Sequence, residues 1–308
     1  SKISNNTMGS TMAETTYAVY LDDSSSVSIK NNTIEWNATG ANKYSYGFYL
    51  RTDSGDTINN TIIMNNTIIL NSSYFATGLY FYSGGLINQT TIQSNTFRIS
   101  KAPYAYGIST TISDTLDHTT VEDNTFRING TSVGSGIYLY TGGTSMDYNT
   151  IRLNSIDINA TTAGATAFGI RLYAAEGLSM HPSTVEQNRI SVDSTTAYGI
   201  HVTTAAGLDV NSTVDSNEMN VTSYSSSPNL KSYGIYIEGA NYLNVSQNTI
   251  NSTAPNALSA GIYTSESGGV DPSDYGRYWD NTVTGGNYSL YIDSDGSDGS
   301  TFWNNTFS

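Results

Sequence analysis

The sequence predicts an all-β fold, a parallel β-helix of about ten turns in which about thirty residues per turn carry three short strands. Three observations lead there. A glycine followed by an aliphatic-polar-aliphatic run recurs through the chain, an asparagine followed by Thr and an apolar residue recurs between those runs, and no stretch sustains a helical period. A repeat near thirty residues that tolerates insertions belongs to a solenoid, in which one repeat is one turn and insertions go to loops.

The glycine run is clearest at Tyr46-Gly47-Phe48-Tyr49-Leu50. Its copies carry Gly78, Gly107, Gly136, Gly169, Gly199, Gly234 and Gly261, at steps of 31, 29, 29, 33, 30, 35 and 27 residues. Tyr17-Ala18-Val19-Tyr20-Leu21 and Tyr288-Ser289-Leu290-Tyr291-Ile292 extend the series at both ends. Period-2 alternation places the Ile and Leu of each run inward and the residue between them outward. Tyr20, Tyr49, Tyr80, Tyr138, Tyr236, Tyr263 and Tyr291 then share one outer face, interrupted by Ser109, Arg171 and His201. Such a ribbon stacks on sugar rings, packs against a neighbouring rod, or simply suits an exposed sheet. No polar pocket accompanies it in the sequence, which favours rod-to-rod packing.

The asparagine motif supplies the other two strands. It falls at Asn6, Asn32, Asn66, Asn95, Asn124, Asn154, Asn188, Asn217, Asn248, Asn281 and Asn305, mostly with an aliphatic three residues earlier. Short alternating runs such as Ile34/Trp36 and Phe126/Ile128 follow. An Asn at a bend between strands can point inward, where an unpaired amide is costly. Amides stacked turn upon turn satisfy one another, so this column reads as structural. With neighbouring strands about 4.8 Å apart, the rod extends about 50 Å. Residues 1–308 read as one domain and as a segment of a longer repeat protein, because both ends of the chain are copies of the interior motif.

These spaced Asn-Thr-Ile and Gly-Ile-x-Leu motifs resemble the right-handed parallel β-helix repeats of the pectin-lyase-like superfamily. They are most similar to the version in large bacterial and archaeal surface proteins. The resemblance covers the whole chain and implies the fold, while that superfamily spans lyases, hydrolases, tailspikes and structural proteins. A polygalacturonase-like site would carry adjacent aspartates, Gly-His-Gly and Arg-x-Lys. Here Asp22-Asp23 is the only Asp pair, His118, His181 and His201 lack such glycines, and Arg-x-Lys is absent. Asp114, Asp117, His118, Glu122 and Asp123, with Arg127 nearby, form the densest acidic cluster and read as a solvated loop. No catalytic constellation is recognisable, and the reading leans away from an enzyme.

Composition narrows the partners. With 26 acidic and 12 basic side chains the formal net charge is -14, which disfavours nucleic acid and anionic membranes. There is no cysteine, hence no disulfide or thiolate metal site. No apolar run approaches the roughly 18 residues of a membrane helix. Asp293, Asp295 and Asp298, set among glycines, suit either a structural Ca²⁺ or a bare acidic turn; no other cofactor is implied.

Asn-x-Ser/Thr acceptors for N-glycans occur at Asn5, Asn31, Asn37, Asn59, Asn65, Asn71, Asn88, Asn129, Asn159, Asn211, Asn220, Asn244, Asn251, Asn287 and Asn304. Asn37, Asn71, Asn129 and Asn159 each lie five residues after a ladder asparagine, where a corner would present glycans in a line. Glycosylation there implies an extracellular or cell-surface protein. The expected function is a structural or adhesive surface module that self-associates or packs against neighbouring surface subunits. The alternative is a carbohydrate-active β-helix that binds or cleaves polysaccharide.

Overall fold

A computed structural model describes the chain except residues 13–14, 39, 41–42, 161, 176–179, 210, 226–227, 266–274 and 293–298. It is a parallel β solenoid, with no helix among the described residues. One sheet of ten strands is built from the glycine runs, an eleven-strand sheet from three-residue segments such as Ser28–Lys30, and another of eleven strands from segments after each ladder asparagine, such as Thr33–Ala38. Four coils add a fourth short strand, at Thr57–Asn59, Leu86–Asn88, Thr115–Asp117 and Ser145–Asp147. Every strand pairs in parallel with its counterpart one coil away, so columns of equivalent residues run the length of the rod.

The interior consists of such columns. Ile63, Ile92 and Val121 come from one sheet, Ile68, Phe97 and Phe126 from the second, and Leu79, Ile108 and Ile137 from the third, all fully buried. Phe97 and Phe126 stack at 4.9 Å with ring planes 5° apart. A single coil could not bury these side chains; each column is covered only by the coils on either side.

The bend before each ladder asparagine is made by a residue in the left-handed region, for example Asn31 (φ 56°), Asp123 (φ 54°) and Leu153 (φ 56°). That conformation costs a non-glycine residue about 1–2 kcal/mol, and the asparagine beside it offsets the cost. Asn95 donates from both its backbone N–H and its Nδ2 to Asn124 Oδ1 at 2.9 and 3.0 Å, and its Nδ2 also reaches the carbonyls of Ile63 and Gln93. The same pair of bonds links each member to the next from Asn6 to Asn305.

A second polar column sits five residues earlier, at Thr61, Thr90, Thr119, Asn149, Ser183 and Ser212, all buried. Thr119 N–H donates to Asn149 Oδ1 at 2.9 Å and Ser183 N–H to Ser212 Oγ at 3.0 Å. The sequence reading missed this corner because its residue type varies; the constant offset from the ladder asparagine was the available signal.

Candidate functional site

The most distinctive surface is the outer face of the ten-stranded sheet, and the glycines shape it. At Gly47 an added Cβ would meet the Gly78 carbonyl oxygen at 2.5 Å and Ile68 Cγ2 at 2.7 Å, so the glycine faces the core. The next residue, Phe48, is also buried in the core. Two successive inward positions break the alternation, and the residue before each glycine turns outward.

Two aromatic columns result. One runs Tyr20, Tyr49, Tyr80, Ser109, Tyr138, Arg171, His201, Tyr236, Tyr263, Tyr291 in register. The other, absent from the sequence reading, runs Tyr17, Tyr46, Thr77, Tyr106, Ser135, Phe168, Tyr198, Tyr233, Ala260, Tyr288. Within a column most rings stack, as Tyr17 on Tyr46 (5.1 Å, 6°) and Tyr263 on Tyr291 (5.2 Å, 6°), while Tyr49–Tyr80 (62°) and His201–Tyr236 (83°) meet edge to face. Between columns they meet edge to face, as Tyr46 against Tyr49 (89°) and Tyr233 against Tyr236 (87°).

This herringbone covers much of each ring face and buries Tyr46, Phe168, Tyr233 and Tyr263. Exposure is greatest near the first coils, where Tyr17, Tyr20, Tyr44 and Tyr82 are each 37–44% accessible. Burial, reinforced by neighbouring tyrosines, pushes the phenols of Tyr49, Tyr106 and Tyr233 up to about 12. At neutral pH they remain hydrogen-bond donors. Tyr80 donates to Thr111 Oγ1 at 3.0 Å, and the Tyr236 hydroxyl lies 3.2 Å from Ser265 Oγ.

Polar groups do accompany the rings, contrary to the sequence expectation. The Arg171 guanidinium packs 5.1 Å from the Tyr138 ring centre, 4.7 Å from Phe168 and 5.3 Å from Tyr173. On the next coil the His201 ring lies nearly parallel to Phe168 (5.5 Å) and Tyr198 (5.0 Å), which stack on each other. Its Nε2 lies 2.7 Å from Thr203 Oγ1 and 3.8 Å from Glu238 Oε2. Burial lowers the His201 pKa and Arg171 adds to that, while hydrogen bonding to Glu238 opposes it. Arg171 and His201 stand where tyrosine stands on neighbouring coils, positions that the alternating pattern treats only as gaps.

The other sequence candidates are scattered. Glu122 pairs with Arg152 at 3.1 Å, Asp117 with His118 at 2.7 Å, and Asp114 accepts from Thr144 Oγ1 at 2.7 Å, so the acidic run is divided among separate faces. Asp293, Asp295 and Asp298 lie outside the described residues. No three His, Asp or Glu side chains gather into a metal site among the described residues.

The acceptor asparagines fall into groups. Asn37, Asn71, Asn129 and Asn159 occupy one column, with Ser100 between the second and third. Asn220 and Asn251 pair in a different column, joined by Asn251 Nδ2 to Asn220 Oδ1 at 3.0 Å. Asn5, Asn31, Asn65 and Asn304 are exposed corner residues with positive φ, as is Asn211. Asn59, Asn88 and Asn244 are half-buried in short strands, and Asn287 accepts from the Ser259 N–H at 3.0 Å.

The family described as a right-handed beta helix region matches residues 1–307. Among solved structures, the catalytic domain of a GH87 alpha-1,3-glucanase, captured with tetrasaccharides, is similar at 10% identity and a TM-score of 0.36. That match covers 98% of this chain and 63%, less than two thirds, of the glucanase chain. No curated protein matches the chain.

Proposed function

The chain belongs to the right-handed β-helix family, and from that premise we propose that it is an adhesive, polysaccharide-binding module of the cell surface or extracellular space. The observation that carries this reading is the double column of rings on one outer face, with Arg171, His201, Thr203 and Glu238 set among them. Carbohydrate recognition combines apolar ring surface with hydrogen-bonding groups, and Tyr provides both at low conformational cost. Equivalent groups recur at each coil, about every 4.8 Å. A linear polymer lying along the axis would therefore meet similar partners at successive residues.

N-glycans on Asn37, Asn71 and Asn159 would be carried on a different sheet from the rings, leaving that face open. A second reading, lateral packing of one rod on another, is supported by the exposure of Tyr17, Tyr20, Tyr44 and Tyr82.

Affinity electrophoresis through gels containing neutral or uronate polysaccharides tests the proposal. The expected result is retardation by at least one polymer, weakened in Tyr20→Ala/Tyr49→Ala. Lack of retardation by the whole panel, with tyrosine-dependent dimers in solution, would replace binding by lateral packing. Release of unsaturated or reducing ends would replace adhesion by catalysis.

A further inference from the structure

A second surface lies on the sheet that follows the asparagine ladder. Arg98 and Arg127 are register partners on neighbouring coils, and both are exposed. Their Cα atoms stand one strand spacing apart, about 4.8 Å. Like charges placed directly side by side are destabilising. Among the described residues neither arginine has a carboxylate within ion-pair distance; the arginines so paired are Arg51, Arg152 and Arg189. Asp157 follows Arg127 in the same column without closing a pair, and Ile69 precedes Arg98. Lys101 lies just beyond the same strand as Arg98, adding a third cation. This concentration of positive charge occurs on a chain whose net charge is -14.

One open groove adjoins the pair, and a second, which neither arginine lines, shares Ser100 and Asn129 with it. The first, of about 240 Å³, is lined by Arg98, Ser100, Arg127 and Asn129, and the second, of about 430 Å³, by Lys101, Asn129 and Thr131. The Asn129 amide thus stands beside the guanidinium groups, while the Ser100 hydroxyl donates to Asn71 Oδ1.

We propose that Arg98 and Arg127 form a binding site for a tetrahedral oxyanion, the sulfate or phosphate group of an ester. A guanidinium presents a planar fork that holds two oxygens. A carboxylate has only two oxygens and is satisfied by one fork. A sulfate or phosphate monoester has three free oxygens and can bridge two forks one coil apart, its negative charge met by the two guanidinium groups. The site stands on a different sheet from the aromatic columns and does not depend on their role.

Titration calorimetry with sodium sulfate, against sodium chloride at matched ionic strength, tests this with the intact chain. The wild type should bind sulfate in preference to chloride, and Arg98→Gln or Arg127→Gln should each weaken it about tenfold or more, as expected for loss of charge-assisted hydrogen bonds. Arg189→Gln, an exposed change on the same sheet, should bind like the wild type. Melting curves in chloride verify that each variant is folded. Because sulfate stabilises proteins generally, only its excess effect on the wild type over the two glutamine variants counts. Arginine-dependent retention on dextran sulfate identifies a sulfate ester as the ligand, and on cellulose phosphate a phosphate ester. Sulfate binding that is absent, equal to chloride, or equal in wild type and both glutamine variants would overturn the proposal.

Discussion

Asn124 donates twice to one oxygen of Asn154: its backbone N–H and its Nδ2 each reach Oδ1 at 3.0 Å. Asn124 Oδ1 in turn accepts both the N–H and the Nδ2 of Asn95. Replacing Asn124 by Ala leaves the buried Asn95 N–H unpaired, takes one of three acceptors from Asn95 Nδ2, and removes one donor each from the Ile92 and Glu122 carbonyls. At about 1–3 kcal/mol for the unsatisfied N–H and about 1 kcal/mol for the amide bonds lost around it, the loss should be about 2–4 kcal/mol. Asn6→Ala, at the exposed first position, should lose about 1 kcal/mol. Denaturant midpoints of the two variants check the ranking; equal shifts would contradict it.

Gly107 tests the inward glycine column. A Cβ there would lie 2.5 Å from the Gly136 carbonyl oxygen and closer still to the Phe126 ring. Gly107→Ala should destabilise by about 1–3 kcal/mol through overpacking. At Gly9 the nearest atom to an added Cβ is the Glu35 carbonyl oxygen at 3.5 Å, and Gly9→Ala should change stability by about 0.5 kcal/mol or less. Thermal melts of both variants give the comparison.

The same glycines mark the limit of what the sequence disclosed. The repeat, the three strands per turn and the outward Tyr49 column were legible because short β strands alternate with a period of two. Tyr46 and its column were not, since Gly47 and Phe48 both face inward and shift the phase just before the glycine. Arg171 and His201 looked like gaps in a tyrosine series, and only the coil-to-coil register shows them packed among rings. The pairing of Arg98 with Arg127 likewise depends on which residues 29 positions apart become neighbours.

Acid should weaken the fold through His201. Its pKa is lowered by burial, so below the ordinary imidazole value, about 6.5, the unfolded chain takes up the proton first. Stability from this group is complete above that value and declines as pH falls toward the folded pKa. Arg171 and Glu238 are the charged groups facing it, and they act in opposite directions. His201→Phe keeps a stacked ring without a titrating nitrogen. The melting temperature of the wild type should therefore drop more between pH 7 and pH 5, roughly across the imidazole range, than that of the variant. Parallel curves would show that His201 is not the source.

Alkali acts on the ring columns with the opposite sense. Tyr49, Tyr106 and Tyr233 have folded pKa values near 12, above the ordinary phenol value of about 10. Their contribution is complete below the unfolded value and is lost as pH rises toward the folded one. Tyrosinate absorbance should rise in two stages, exposed phenols first, with the second stage coinciding with loss of β circular dichroism. A single stage near the ordinary phenol value in a folded protein would contradict the buried herringbone.

Hydroxyl-radical footprinting with and without a polysaccharide that retards the chain tests the central claim most directly. Tyr20, Tyr49 and Tyr138 on the ten-stranded sheet should lose reactivity in the complex, while Tyr148, 54% exposed at a corner on another side, should keep it. Protection confined to other faces, or undiminished reactivity of the ring columns in the complex, would contradict their assignment as the binding surface.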